Sequence, residues 1–255
     1  MFDKIYIIND KGERVEATAP VIISASRSTD IPAFYAKWFF NRLAKGYCAW
    51  YNPFNQQKMY ISFSKCKVIV FWTKNPKPII PYLHILDEMG IHYYFQVTLN
   101  DYAKEGFEPN VPSVKERIET FKQLSDMVGK EKVIWRFDPL IITPTIGPRE
   151  LLTRIWHVGN KLKGYTDKLV FSFVDVKHIA RFKITLLRKL DSSQRKMLRM
   201  QKLIMPKELR LYKDLRKFEK HGMNKVGMLK WRHVLKKLIL NPTALSIIVV
   251  LMGNL

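Results

Sequence analysis

The sequence predicts an α/β protein that contains a partial (β/α) barrel of the TIM type, with about six βα units, followed by a basic tail. Between residues 21 and 175, short apolar runs rich in β-branched and aromatic residues alternate with amphipathic stretches of helical length. This alternation is typical of βα units and a parallel sheet. Polar residues follow each apolar run, at the positions where barrel proteins carry their functional sites.

Six strands are predicted, over residues 21–26, 47–51, 67–72, 92–99, 132–137 and 168–174. Runs such as VIVFW and VIWRF suit strands that are buried on both faces. Helices are predicted over residues 32–45, 78–89, 114–128 and 149–162. The third helix opens with a capping box, in which Ser113 and Glu116 satisfy free amides of the first turn.

The polar residues at the strand ends define a candidate site, because the carboxyl ends of barrel strands meet at one rim. The catalytic candidates are Asp30, Arg136, Asp138 and Asp175. The substrate-binding candidates are Arg27, Asn52, Lys74, Asn75, Gln96 and Ser172. The alternative is that these residues are ordinary helix caps and turn formers, which follow strands in any α/β protein.

The position of Arg136 supports a shared site over ordinary helix caps and turn formers. Arg136 lies inside an apolar run, where a charge is costly without a partner. Asp30, Asp138 and Asp175 are its candidate partners. Arg27, Lys74 and Arg136 would bind a small polar or anionic substrate, and the aspartates would orient these cations or exchange protons. On this interpretation the protein is a hydrolase or lyase that needs no metal.

The rest of the composition predicts a cytoplasmic protein with no membrane partner. No apolar run reaches the roughly 18 residues that a membrane span needs. The spacing of Cys48 and Cys66 matches no zinc or redox motif, so both are expected to be core or strand residues. The sequence makes no prediction of the oligomeric state.

The net charge of +22 raises nucleic acid as a partner, because Lys and Arg that neutralise phosphates drive such binding. However, residues 177–255 hold 20 Lys and Arg against 4 Asp and Glu, so the excess belongs mainly to the tail. Aromatic residues are sparse there, and no clean apolar stripe is present. Binding of nucleic acid or of an acidic membrane surface by a basic helical arm is therefore the weaker alternative.

Seven segments resemble motifs of a bacterial family, the domain-of-unknown-function family 1848, in order and spacing over residues 20–175. They are ISASRSTDIPAFYAKWFFNRLAKGY, YNPFN, VIVFWTKNP, YYFQVTL, EPNVPS, VIWRFDP and FSFVD. The resemblance implies a barrel and, in intact relatives, an iron–sulfur cluster held by C-terminal cysteines, with S-adenosylmethionine as a possible cofactor. The family's function is not established. Ser28 departs from the pattern, since the family more usually has arginine there.

No cysteine follows residue 175, so no cofactor is expected in this chain, and we expect the chain to be inactive because it lacks the cysteine cluster of its relatives. A shifted reading frame accounts for the loss. When the codons of residues 229–254 are regrouped after two bases are discarded, they are compatible with MATCAEEVDLKSYGIEHNSCIDGK, as expected of the family's next segment. Our hypothesis is a one-frame shift near Val176, which would make residues 177–255 a non-native helical or disordered tail.

Overall fold

The computed structural model describes residues 3–26, 29–52, 55–141 and 146–173, and the backbone of residues 248–251. The strands are β1 Asp3–Ile8, β2 Arg14–Ala19, β3 Ile22–Ser24, β4 Tyr47–Tyr51, β5 Lys58–Ser62, β6 Val68–Thr73, β7 His92–Thr98, β8 Val133–Leu140, β9 Lys168–Phe173 and β10 Ile248–Leu251. The helices are α1 Ile31–Phe34, α2 Ala36–Ala44, α3 Leu83–Glu88, α4 Val114–Val128 and α5 Pro148–Leu162, with 3-10 turns at Ile80–Tyr82 and Lys130–Lys132.

The larger sheet has the strand order β3-β6-β7-β8-β9-β10. Its first five strands are parallel, as the alternation of apolar and amphipathic segments predicted, and β10 pairs antiparallel with β9. Ile248–Leu251 is thus a strand, whereas the predicted tail was helical or disordered. The other predictions for the tail concern residues that lie outside the described part of the chain.

The number of βα units is smaller than predicted, because β4 does not join the parallel sheet. It has the predicted bounds, but it pairs antiparallel with β5 in a second sheet of order β1-β2-β5-β4. Only residues 52–57 separate β4 from β5, and parallel pairing would need a connection of about a dozen residues. Five parallel strands, and not six, are therefore present in the described residues.

The predicted helix over residues 32–45 is interrupted at Tyr35, whose φ of −131° and ψ of 23° separate α1 from α2. The helix predicted over 78–89 is shorter and begins with a 3-10 turn. α4 has the predicted bounds, and its capping box is present. Ser113 Oγ accepts from Glu116 N at 3.2 Å, while Glu116 Oε2 accepts from Ser113 N at 2.9 Å.

The chain divides into two compact units. The first unit comprises residues 1–98 and 107–134. In its parallel strands, alternate side chains pack under α2, with Phe71 stacked on Phe95 at 5.0 Å and edge-on to Phe39 at 5.7 Å. The opposite face is less covered, because Trp72 on β6 is 40% exposed and its register partner Gln96 on β7 is half-buried.

The second unit comprises residues 99–106 and 135–255. Its described core contains Trp135 and Phe137 of β8, with Tyr102 edge-on to Phe137 at 5.7 Å. Val158 and Leu162 of α5 are fully buried as well. Large apolar side chains thus fill one side of β8, and this leaves Arg136 and Asp138 on the alternate positions of the strand.

Candidate functional site

A pocket of about 290 Å³ lies in the first unit at the carboxyl ends of β3 and β6. The segment 110–112 contributes to its wall. Its polar lining consists of Ser26, Asp30, Thr73, Lys74, Asn75, Thr98 and Asn110, and two large aromatic side chains, Phe34 and Trp72, also line it. Three predicted site residues, Asp30, Lys74 and Asn75, therefore line one pocket. All three follow the carboxyl end of a parallel strand, where barrel proteins carry their functional groups.

Asp30 connects the loops that follow β3 and β6. Its Oδ1 accepts from Ala33 N at 3.1 Å, which caps α1, and its Oδ2 accepts from Lys74 N at 2.8 Å. These contacts use both carboxylate oxygens as acceptors for backbone amides. Asp30, which lines the pocket, thus holds the two loops together.

Lys74 belongs to an ion cluster with Glu108 and Arg117. Lys74 Nζ lies 2.6 Å from Glu108 Oε1, and Arg117 Nη1 lies 3.4 Å from Glu108 Oε2. The Glu108 side chain is only 5% exposed, whereas that of Lys74 is 44% exposed. One buried carboxylate thus pairs with two cations, of which the Lys74 side chain is the more exposed.

Ser26 lines the pocket, but its hydroxyl oxygen is buried and is not accessible from it. This oxygen has no hydrogen-bond partner in the described part of the chain. A buried hydroxyl without a partner costs about 1–3 kcal/mol, because water no longer solvates it.

A second polar cluster lies at the ends of β8 and β9 in the second unit. Asp138 accepts from Arg136 Nη2 through Oδ2 and from the Ser172 hydroxyl through Oδ1. Arg136 is 5% exposed, so its charge is buried with its partner. Asp138, one of the three aspartates proposed as partners of Arg136, is in contact with it, and Asp175 lies outside the described residues.

Asn100 and Tyr102 support this second cluster through the backbone. Asn100 Nδ2 donates to Asp138 O at 3.1 Å, and Asn100 Oδ1 accepts from Asp138 N at 2.9 Å. Tyr102 donates to Pro139 O at 2.8 Å and accepts from Ile141 N at 3.0 Å. Both side chains fix the path of the chain on either side of the cis Asp138–Pro139 peptide.

Four polar residues of these clusters were not among the predicted site residues: Asn100, Tyr102, Glu108 and Arg117. The first three follow β7, so the strand-end rule would have found them if it had been applied to the whole loop and not only to the residues next to the strand. Arg117 lies within α4 and carries no comparable signal, because a helical arginine is usually solvated.

No described contact links Asn52 or Gln96 to either cluster. Asn52 lies in the turn between β4 and β5, where its backbone exchanges hydrogen bonds with Gln56 and Gln57. Gln96 lies within β7, half-buried beside Trp72, and does not line the pocket. Arg27 and Asp175 lie outside the described residues.

The cysteines of the chain do not fit the iron–sulfur cluster implied for intact relatives. The chain has two cysteines, and such clusters are usually held by four thiolates. Burial raises the pKa of the Cys48 thiol on β4 and that of the Cys66 thiol before β6, which keeps both protonated. Among the described residues, no group of three or more His, Cys, Asp or Glu side chains is placed to hold a metal ion.

Together, the fold and the two clusters define a mixed α/β protein with a five-stranded parallel sheet and polar side chains at its strand ends. The chain belongs to the family described as "Domain of unknown function (DUF1848)", which matches residues 22–227. This confirms the family resemblance, and the match continues beyond residue 175, where the seven motifs end. No curated protein and no solved structure gives a match. Within the described residues, no helix is both long and apolar enough to cross a membrane.

Proposed function

We propose that the protein is a cytoplasmic β/α-barrel protein that binds a small polar or anionic substrate with its own side chains, in the pocket at the ends of β3 and β6. The observation that carries the proposal is the half-exposed Lys74 side chain, which lines the pocket together with Asp30 and Asn75. The Lys74 ammonium can donate to a polar ligand and keep its ion pair with Glu108, because it has three hydrogens to donate.

The strand order supports the barrel. The five parallel strands follow one another in chain order, from β3 through β6, β7 and β8 to β9. A doubly wound sheet reverses its order at a switch point, whereas a barrel proceeds around its axis in a single direction. No such reversal occurs among these five strands.

The charges of the pocket support a substrate with a polar or anionic group. Lys74 lines the pocket, and its ammonium can donate to an acceptor group of the substrate without the help of a metal. Asp30 is a positioning residue in this proposal, because its carboxylate holds the loop that carries Lys74. Arg136 and Asp138 are proposed to act as a second polar group, in which Asp138 accepts a proton or orients Ser172.

The iron–sulfur chemistry expected of intact relatives is not proposed for this chain. Its two thiols do not supply the required set of thiolates, so the proposed binding depends on the lysine and asparagine side chains of the pocket. If a restored reading frame brings cysteines, the same pocket would bind substrate beside the cluster.

The test is ligand binding by Lys74→Met. Wild-type protein is titrated with citrate, glycerol 3-phosphate and neutral aldoses in the presence of EDTA, and binding is followed by calorimetry. We expect Lys74→Met to weaken binding of the anionic probes about tenfold, because one charge-assisted hydrogen bond is lost. Lys77→Met is the matched control, since Lys77 is exposed and does not line the pocket.

The proposal is wrong if no member of the panel binds, or if Lys74→Met and Lys77→Met bind equally well. Binding that disappears with EDTA would contradict the claim that the protein's own side chains suffice.

A further inference from the structure

The strand β1 leaves one edge of the four-stranded sheet open. In the order β1-β2-β5-β4, β1 is a terminal strand, and among the described residues its only strand partner is β2. The pairing with β2 runs from Asp3 to Ile8 without a bulge, and the strand DKIYII contains no proline or glycine. Such an edge presents unpaired backbone N–H and C=O groups and is a template for a further strand.

The register with β2 shows which backbone groups of β1 point outward. Asn9 N donates to Glu13 O at 3.0 Å where the hairpin turns, so these two residues form a hydrogen-bonded pair. Hydrogen-bonded and non-hydrogen-bonded pairs alternate along an antiparallel ladder. Every second residue counted back from Asn9 therefore bonds to β2, and the outward N–H and C=O groups belong to Lys4, Tyr6 and Ile8.

These three alternate residues are complementary to themselves. When a second copy of β1 lies antiparallel with Tyr6 opposite Tyr6, Lys4 lies opposite Ile8 on both sides of that central pair. Each of the three pairs exchanges two hydrogen bonds, so all six outward N–H groups of the two strands have an acceptor. A shift of two residues in either direction leaves Lys4 or Ile8 beyond the end of the opposing strand.

The side chains of β1 agree with the same register. Tyr6 and Ile8 are 64% and 62% exposed on one face of the strand, and Ile5 and Ile7 are half-buried on the other. In the paired strands, Ile5 lies opposite Ile7 of the second copy, and the aliphatic stem of Lys4 covers Ile8. Apolar groups therefore meet on both faces of the joined strands, which removes them from water.

The charges of β1 do not oppose this pairing. Lys4 Nζ lies 2.7 Å from Glu16 Oε1, and Lys65 Nζ lies 2.7 Å from Asp3 Oδ2, so both charges of the strand are balanced within one copy. Lys4 and Lys4 of the second copy would be four residues apart, which is about 14 Å along a strand. A balanced edge offers little to a strongly acidic or basic partner, but it fits a second copy.

We infer that two copies of the chain associate through antiparallel pairing of β1, with Tyr6 at the twofold axis, so that their four-stranded sheets join into one sheet of eight strands. The same surface is used by both copies, as in the twofold dimers that are the commonest soluble oligomers. β1 does not line the pocket, so this inference is independent of the proposed function.

The first experiment is sedimentation equilibrium of the full chain over a wide range of micromolar concentrations at physiological salt. We expect a dimer with a dissociation constant in the micromolar range, because pairing of one strand gives a small interface. Tyr6→Lys places two ammonium groups opposite each other at the axis and should weaken dimerisation about tenfold or more. Tyr51→Lys is the matched control, because Tyr51 is 55% exposed on β4, the other edge strand of the same sheet.

Oxidative cross-linking tests the register, and it also decides the matter if Tyr6→Lys fails to fold. Residues that form a hydrogen-bonded antiparallel pair have Cα atoms about 5.5 Å apart, which a disulfide can span. Mild oxidation of Tyr6→Cys should therefore give a covalent dimer. Lys4→Cys should give no more dimer than the wild-type chain with its Cys48 and Cys66, because its two new thiols would be too far apart.

A dimer that Tyr6→Lys weakens and Tyr51→Lys does not, together with selective cross-linking of Tyr6→Cys, supports the inference. A wild-type chain that stays monomeric over the whole concentration range overturns it. Equal effects of Tyr6→Lys and Tyr51→Lys would overturn it as well, since the dimer would then not depend on β1. Equal cross-linking of Tyr6→Cys and Lys4→Cys would contradict the register with Tyr6 at the axis.

Discussion

At the residue scale, three carboxylates hold the strand-end loops together, and each of them bridges two partners. Asp30 accepts from two backbone amides, Glu108 pairs with two cations, and Asp138 accepts from Arg136 and Ser172. The carboxylate suits this role because its two oxygens offer several acceptor sites. Removing one of these carboxylates therefore takes an acceptor away from two other groups at once.

Substitution of Asp138 tests this arrangement in the second unit. Asp138→Leu leaves the buried Arg136 guanidinium without its carboxylate, and we expect a loss of about 3 kcal/mol in the free energy of unfolding. Urea denaturation measures the loss. The double variant Arg136→Met with Asp138→Leu removes both charges and should recover most of the stability, because apolar residues of similar volume can replace a buried ion pair. A double variant less stable than Asp138→Leu would show that Arg136 stabilises the fold by other contacts.

The sequence predicts the Arg136–Asp138 pair but not the Glu108 cluster, and the reason is physical. A charge within an apolar strand requires a nearby partner, and Asp138 is two positions away on the same side of β8. Lys74 and Glu108 are separated by 34 positions and meet only after the loop following β7 has folded. No local pattern in the chain marks such a pair.

At the element scale, α4 shows how local signals define a helix. Its bounds were predicted from the Ser113–Glu116 capping box and from the apolar spacing, and both depend on residues within one or two turns. The mutual hydrogen bonds are present, and the hydroxyl and amide of Ser113 hold the pKa of Glu116 below its ordinary value.

Ser113→Ala should therefore cost about 1 kcal/mol of stability at neutral pH, because the first-turn amide loses its acceptor. The contribution of Glu116 is present above the ordinary glutamate pKa and is lost as the pH falls through its lowered folded value, so the cost should shrink in acid. Thermal unfolding between neutral and acidic pH measures both effects. The control is Lys115→Ala. Lys115 is exposed and lies two positions after Ser113, so this change should have little effect. A cost that is the same at both pH values would contradict a role for ionised Glu116.

Elements defined by pairing are harder to predict than α4. The bounds of β4 were correct, but its sheet was wrong, because the partner strand β5 was not recognised in the segment KMYIS. β1 and β2 were also missed, although they pair along six residues each. Parallel strands buried on both faces have continuous apolar runs, whereas these strands mix polar and apolar residues and gain stability from the hairpin that joins them.

At the scale of the whole molecule, two observations on the last third of the chain support different conclusions about its reading frame. The family match extends to residue 227, which includes residues 177–227. The codon comparison implies that the segment after Val176 is translated out of frame, and its 20 Lys and Arg against 4 Asp and Glu are unlike the rest of the chain. If residues 177–227 are translated out of frame, selection cannot have produced their match to the family. The sequence of the coding DNA therefore decides whether the frame is shifted.

Sequencing the coding DNA from codon 165 onward provides that evidence. We expect one base gained or lost near codon 176, with a restored frame that continues into a cysteine cluster, because the codons of residues 229–254 are compatible with a cysteine-containing segment. Expression of the restored frame should then give a brown, iron-containing protein when it is prepared without oxygen, since thiolates hold such clusters. If the frame stands and no cysteines follow in another frame, the shift hypothesis is wrong. The basic segment would then be part of the protein, and a chain cut after Asp175 should lose salt-sensitive binding to DNA.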